Sequence, residues 1–121
     1  MIIEGIVVHG KHLGRTLGFP TANLDPLSPP ERIDEGVYAA WLIADGRRMG
    51  CMVNIGSHPT LPDGGKTIEA HIFDFQGDLY GQRVRLETIA HLRGEIRFAS
   101  IEALRRQLAS DAKAARAILN I

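Results

Sequence analysis

Residues 36–55 read GVYAAWLIADGRRMGCMVNI. The first nine, Gly36 to Ala44, are rich in β-branched and aromatic side chains, the composition of a strand. Asp45-Gly46 follows, a pair suited to the left-handed backbone of a two-residue hairpin turn. Arg48 to Ile55 then reads as the returning strand. One antiparallel hairpin is therefore written into the middle of the chain.

Outward from the hairpin, Ile2 to Val8 is a first strand, interrupted by Glu4 and Gly5, and Gly10 to Gly14 is a loop. Gly14 to Leu24 (GRTLGFPTANL) follows as a short strand. Asp25 to Asp34 holds Pro26, Pro29 and Pro30 and reads as a surface connection. Beyond the hairpin, Gly56 to Lys66 is a loop. Thr67 to Phe75 is a strand, a turn runs from Gly77-Asp78 to Gly81, and Gln82 to Leu92 alternates polar and apolar residues. These are about six strands on short connections. Parallel pairing needs long crossovers, so they pair antiparallel, and closure into a small Greek-key-like barrel removes the exposed edges.

After residue 92 the period changes. Ser100 is a good N-cap and Glu102 falls in the first turn, where the helix dipole favours a carboxylate. Ile101, Leu104, Leu108, Ala112, Ala115 and Leu119 recur at helical spacing. Arg105, Arg106, Lys113 and Arg116 occupy the other face, read as a solvated surface. The expectation is one domain over residues 1–121: strands to about 92, then an amphipathic helix over about 100–118 lying on the barrel.

The 121 residues carry 14 basic and 14 acidic side chains, for a formal charge of zero. A general nucleic-acid or membrane-surface binder needs a basic excess. A single-stranded nucleic-acid barrel also needs stacking aromatics, and these are only 6% of residues. Cys51 is the only cysteine, so no intramolecular disulfide forms; it reads as a small buried residue. The start, MIIEGIVV, lacks the basic region of a signal peptide, and no apolar run has the length of a membrane span. The expected compartment is the cytoplasm, with no nucleic-acid or membrane partner.

The chemistry-bearing residues cluster in two runs. In PTAN, Thr21 and Asn23 share one strand face and Pro20, Ala22 and Leu24 the other. A hydroxyl and an amide oxygen side by side suit a hard cation whose shell is completed by water and substrate phosphates. Gly10, Gly14 and Gly18, around Lys11 and Arg15, let backbone N–H groups approach an anion. In Thr67–Phe73, Glu69 and His71 share a face, which is either a polar outer surface or a catalytic one. On the catalytic reading Glu69 takes the proton of an attacking hydroxyl and His71 supports the site. Phosphoryl transfer asks mostly for alignment and charge stabilisation, so a carboxylate suffices as the base. Tyr80, and Arg93, Arg97 and Phe98 ahead of the helix, are candidate ligand walls. The histidines show no metal-ligand spacing for zinc.

With these residues in place, the chain resembles the riboflavin kinase (flavokinase) family. It is especially similar to the kinase module fused behind an FMN adenylyltransferase in many bacteria. The matching runs are GRTLGFPTANL at Gly14, EGVYAA at Glu35, VNIGSHPT at Val53, IEAHIFDF at Ile68, DLYG at Asp78 and LRGEIRFASIEALRRQLASDAKAAR from Leu92, nearly the whole chain in family order. One departure is Leu13, where relatives often carry a basic residue before Gly14-Arg15; Lys11 and His12 lie close by.

The resemblance implies a six-stranded antiparallel barrel with a C-terminal helix. It also implies transfer of the ATP γ-phosphate to the riboflavin 5′-hydroxyl, giving FMN and ADP, with Mg2+ carried by ATP. By matching positions it places Gly10 and Arg15 over the ATP phosphates and Tyr80 near the nucleotide. Thr21 and Asn23 fall at magnesium and phosphate, Glu69 at the catalytic carboxylate, and Arg93 and Phe98 at the flavin. No adenylyltransferase segment precedes the kinase in these residues, so FMN rather than FAD is the expected product. The alternative is an inactive flavin- or nucleotide-binding regulator on the same fold.

Overall fold

The computed structural model describes residues 1–8, 21–28, 33–57 and 66–121. Among these residues six strands precede one helix: β1 (Ile2–Val8), β2 (Thr21–Pro26), β3 (Gly36–Ala44), β4 (Arg47–Ser57), β5 (Lys66–Ile72), β6 (Arg83–Arg93) and α1 (Ile101–Leu119). They close into a barrel in the order β1-β2-β5-β4-β3-β6, and every neighbouring pair is antiparallel. The expected six-stranded barrel with a C-terminal helix is therefore present.

The hairpin lies where its residues predict. β3 pairs with β4 in unbroken register from Gly36↔Ile55 to Ala44↔Arg47. Asp45 and Gly46 turn it with φ of 48° and 76°, the positive angles of a tight hairpin turn. β3 is almost continuously buried because it has apolar neighbours on both faces. Tyr38, Ala40 and Leu42 enter the barrel core with Cys51, Val53, Ile68, Ile72 and Leu86. Val37 and Ala39 face outward and pack with Met52 and Phe73 against Leu108, Ala112, Ala115 and Leu119 of α1. The helix thus covers one side of the barrel, as its apolar stripe requires. Ser100 caps it, its side chain accepting from the Ala103 N–H at 3.1 Å.

Four sequence expectations shift. Glu4 and Gly5 do not interrupt β1. β2 runs on through Asp25 and Pro26, which read as the start of a surface connection; they pair with Ile6 and Gly5 of β1. β5 ends at Ile72, and Phe73 and Asp74 turn instead, with Asp74 at φ 53°. Phe73 goes to the helix-facing cluster and Phe75 to the barrel core. An alternating strand cannot send both rings to opposite layers at i and i+2, so the strand must stop first. Ile101 is exposed and adds nothing to the helix stripe.

The far end of β6 is irregular. Its register against β3 shifts between Val37 and Tyr38 and again between Ala39 and Ala40, bulges of the kind that re-aim a strand end. Opposite them, Gly36 has φ 139°, and a Cβ there would lie 2.1 Å from the Arg93 carbonyl oxygen. Only glycine lets β3 begin this close to the end of β6.

Candidate functional site

The barrel register assembles a polar row on its outer face. Asn23 of β2 lies opposite Glu69 of β5, and Glu69 lies opposite Asn54 of β4. Asn54 is opposite Val37 of β3, and Val37 opposite Arg93 of β6. Directly opposed residues of an antiparallel ladder project to the same face with Cβ atoms about 5 Å apart. Residues 23, 69, 54, 37 and 93, scattered through the sequence, thus form one line across five strands. The adjacent row carries Thr21 opposite His71 and His71 opposite Met52.

His71 is the centre of the polar contacts. Its Nδ1 is 3.4 Å from the Thr21 hydroxyl and its Nε2 is 3.4 Å from Glu69 Oε1. The ring is buried, and desolvation outweighs the attraction of Asp111 to lower its pKa from 6.5 to about 4. At neutral pH it is an uncharged imidazole with one donor and one acceptor. The consistent tautomer takes the Thr21 O–H at Nδ1 and donates Nε2–H to Glu69. Burial raises the pKa of Glu69 above the ordinary carboxylate value, so it holds a proton more readily than a surface glutamate.

Beside this row lies a cavity of about 190 Å³. Its floor is the outer face of the barrel at Val37, Met52, Asn54 and His71. One wall is the segment after β6, with Arg93, Glu95, Ile96 and Phe98; the other is α1 at Leu104 and Leu108. Arg93 is held rigidly. Its Nε donates to Asp111 Oδ1 at 3.0 Å, its Nη2 to Oδ2 at 2.7 Å, and its Nη1 to the Gly94 carbonyl at 3.0 Å. Gln107 donates to Asp111 Oδ1 at 2.9 Å, and the Arg93 guanidinium stands 5.9 Å from the centre of the Phe98 ring. A second, smaller cavity of about 40 Å³ lies between Thr21 and the turn Gly77–Leu79.

A model of the flavokinase family, described as riboflavin kinase, matches residues 1–119. The chain belongs to the riboflavin kinase family. It is 39% identical over 119 residues to the bifunctional riboflavin kinase/FMN adenylyltransferase of Haemophilus influenzae, covering 98% of this chain and 38% of that protein. Among solved structures it resembles riboflavin kinase from Trypanosoma brucei, with a TM-score of 0.67 at 25% identity over 98% of this chain and 79% of that one. It also resembles a Streptococcus pneumoniae chain described as a macrolide-efflux protein, with a TM-score of 0.87 at 34% identity, over 95% of this chain and 38% of that one. Among the described residues no helix is long and apolar enough to cross a membrane.

Within this riboflavin kinase fold, Thr21, Asn23 and Glu69 come together on one face, with His71 joining them. Arg93 and Phe98 meet at the cavity wall. Tyr80 stands apart from these: its side chain is exposed, and its N–H donates to Asp78 Oδ1 at 2.8 Å in the turn flanking the small cavity. Gly10 and Arg15 lie outside the described residues.

Sequence reasoning missed Asn54, Gln107 and Asp111. Asn54 has a legible cue, since it is the lone amide in the apolar run Met52–Ile55. Asp111 sits on the helix between Leu108 and Ala112, inside the apolar stripe, which is the cue for a buried carboxylate with a partner elsewhere. Arg116, assigned to a solvated face, pairs with Asp74 at 3.0 Å and lies over the Phe73 ring at 4.7 Å.

Proposed function

We propose that this chain is a riboflavin kinase, residues 1–121 acting as one domain that moves the ATP γ-phosphate to the 5′-hydroxyl of riboflavin. The chain spans 38% of its Haemophilus relative's length, and the activity is assigned to this segment alone. The observation that carries the reading is the outer row of Asn23, Glu69 and Asn54 running from the PTAN strand to the edge of the 190 Å³ cavity. A phosphate donor and an alcohol acceptor must meet at a carboxylate. The row supplies a metal-competent end, a carboxylate in the middle and a cavity at the far end.

Thr21 and Asn23 fit a magnesium ion that arrives with the nucleotide. Both are neutral oxygen donors at i and i+2, half-buried, and next to a carboxylate. Among the described residues no cluster of three or more His, Cys, Asp or Glu offers a metal cage, and magnesium carried by phosphates needs only a few protein oxygens. When bound, the ion offsets phosphate charge. Thr21 suits it because His71 Nδ1, 3.4 Å away, can take its proton in the tautomer that donates to Glu69, leaving the oxygen to meet a cation as an electron-pair donor.

Glu69 accepts the proton of the riboflavin 5′-hydroxyl as that oxygen bonds to the γ-phosphorus. The bond from phosphorus to the β–γ bridging oxygen breaks, and ADP leaves with the electron pair. The raised pKa of Glu69 brings it closer to working pH, which favours a base. His71, uncharged, orients Glu69 through Nε2–H. Arg93, fixed by Asp111, and Phe98 wall the cavity for the flavin. Gly10 and Arg15, before PTAN in sequence, and Tyr80, after β5, are assigned to the nucleotide.

Incubation of the protein with riboflavin and Mg·ATP tests the reading. FMN and ADP should appear in equal amounts, with the phosphate on the terminal ribityl hydroxyl. Tight flavin binding with no FMN formed from any nucleoside triphosphate would replace the kinase with a flavin-binding regulator. Normal magnesium dependence in Thr21→Ala would move the ion away from the PTAN strand.

A further inference from the structure

The Asn54 side-chain oxygen, Oδ1, is fully buried and has no hydrogen-bond partner among the described residues. Its residue lines the 190 Å³ cavity and stands directly opposite Glu69 in the β4–β5 ladder. A buried carbonyl left unpaired costs about 1–3 kcal/mol, a large fraction of the stability of a small domain. The neighbours show that the deficit belongs to this position and not to the region. Asp111, similarly covered, accepts from both Arg93 and Gln107. Of the other floor residues, Val37 and Met52 offer no donor, and His71 directs its Nε2 to Glu69. A turn of the Asn54 amide brings that oxygen to the cavity its residue lines, where it accepts from a group that enters.

We infer that Asn54 Oδ1 is a substrate-binding acceptor that takes a hydroxyl proton of the polyhydroxylated side chain of the flavin. The inference rests on the riboflavin kinase reading and adds a residue to it. The chemical class follows from the atom: an uncharged acceptor whose floor neighbours offer it no donor takes an O–H or N–H from a ligand. Its place beside Glu69 puts the donor on the part of the ligand that carries the reacting alcohol. Asn54 thereby holds one hydroxyl of the chain while Glu69 addresses the terminal one, and it favours a polyol chain over an alkyl chain of the same length.

The test compares riboflavin with lumiflavin, the same ring without the hydroxylated chain, by flavin fluorescence on the wild type and on Asn54→Leu. Leucine keeps the volume and removes the unpaired oxygen. The ligand-free variant should melt at or above the wild-type temperature, bind riboflavin about tenfold more weakly, and bind lumiflavin as the wild type does. Equal loss for both flavins, or no loss for riboflavin, overturns the role of Asn54. Should Asn54→Leu not fold, Asn54→Val, which suits a strand and also removes the oxygen, takes its place, with the same loss expected for riboflavin alone and an equal or absent loss overturning the role. Wild-type protein that binds neither flavin overturns the kinase reading itself, a result distinct from a failure of Asn54 alone.

Discussion

Arg93–Asp111 and Glu69–His71 both lie on the outer face of the barrel, and the fold treats them oppositely. Asp111 accepts from the Arg93 guanidinium at both carboxylate oxygens and from Gln107, and Arg93 also donates to the Gly94 carbonyl. That cluster is closely paired and satisfied around a buried Asp111. Glu69 and His71 are drawn out of water with a contact of 3.4 Å between them, His71 also meeting the Thr21 hydroxyl at 3.4 Å, and each is pushed towards its uncharged form. A satisfied buried pair holds parts together. A pair that burial pushes towards neutrality is costly to keep charged, and it is held ready for what binds there.

The largest effect expected is on chemistry. Glu69→Gln should lower the FMN-forming rate about 10²–10⁴-fold, the usual range for loss of a general base, with riboflavin and nucleotide binding little changed. The same variant should be more stable than wild type at neutral pH. Because the folded pKa of Glu69 is raised, the folded state binds more protons than the unfolded one above the ordinary carboxylate value. Stability therefore falls as pH rises through that window, and it is restored below it, where both states are protonated. Denaturant melts at neutral and acid pH should show a gain for Glu69→Gln that vanishes on the acid side. A rate unchanged from wild type would remove Glu69 from the reaction.

Breaking the satisfied cluster should do the reverse. Asp111→Ala leaves the half-buried Arg93 cation without its carboxylate and should destabilise the fold by about 3 kcal/mol, the lower end for a broken buried pair. Joint replacement, Arg93→Met with Asp111→Leu, should recover much of that loss in denaturant melts, since a buried pair is often replaceable by apolar side chains. The double variant should still bind riboflavin more weakly, because the segment after β6 forms the cavity wall. Full recovery of binding would make the cluster a matter of stability alone.

A pH titration separates the two regions further. The His71 pKa of about 4, against 6.5 in the open chain, means that the unfolded state takes up its proton first as pH falls. Stability should drop by about 3 kcal/mol between pH 6.5 and 4 and then level. His71→Asn should lack this drop. Asp111→Asn should deepen it, because the Asp111 charge is the force that partly raises the His71 pKa. A titration of His71 near 6.5 by NMR would show that the ring is wetter than its burial implies.

The hairpin, the barrel and the helix were legible because each is local: alternation, a turn dipeptide and a helical period lie within short windows. Thr21, Asn23 and Glu69 were legible as residue types on strand faces. What joined them was not, because register across five strands is a long-range property. Asn54 was hidden for that reason. It gains meaning only from lying opposite Glu69 on the next strand. Asp111 and Gln107 were hidden because a helix stripe is read by its apolar positions: Asp111 has its partner Arg93 on the preceding strand, and Gln107 gains its role only through Asp111. The bulges of β6 leave no cue in an alternating run.

The smallest effect belongs to a third region, which sharpens the comparison by lacking burial. Asp74 pairs with Arg116 at 3.0 Å, and the arginine guanidinium beside Asp74 holds its carboxyl below the usual range, yet the Asp74 side chain is 73% exposed. Asp74 also sits at φ 53°, a left-handed conformation that asparagine tolerates and alanine resists. Asp74→Asn deletes the charge and keeps the backbone, so its melting temperature should stay within about a degree of wild type. Asp74→Ala deletes the same charge and adds backbone strain, so it should melt lower than Asp74→Asn. Equal losses in the two variants would assign the effect to the ion pair, and an exposed pair would then count for as much as backbone geometry at the turn that ends β5.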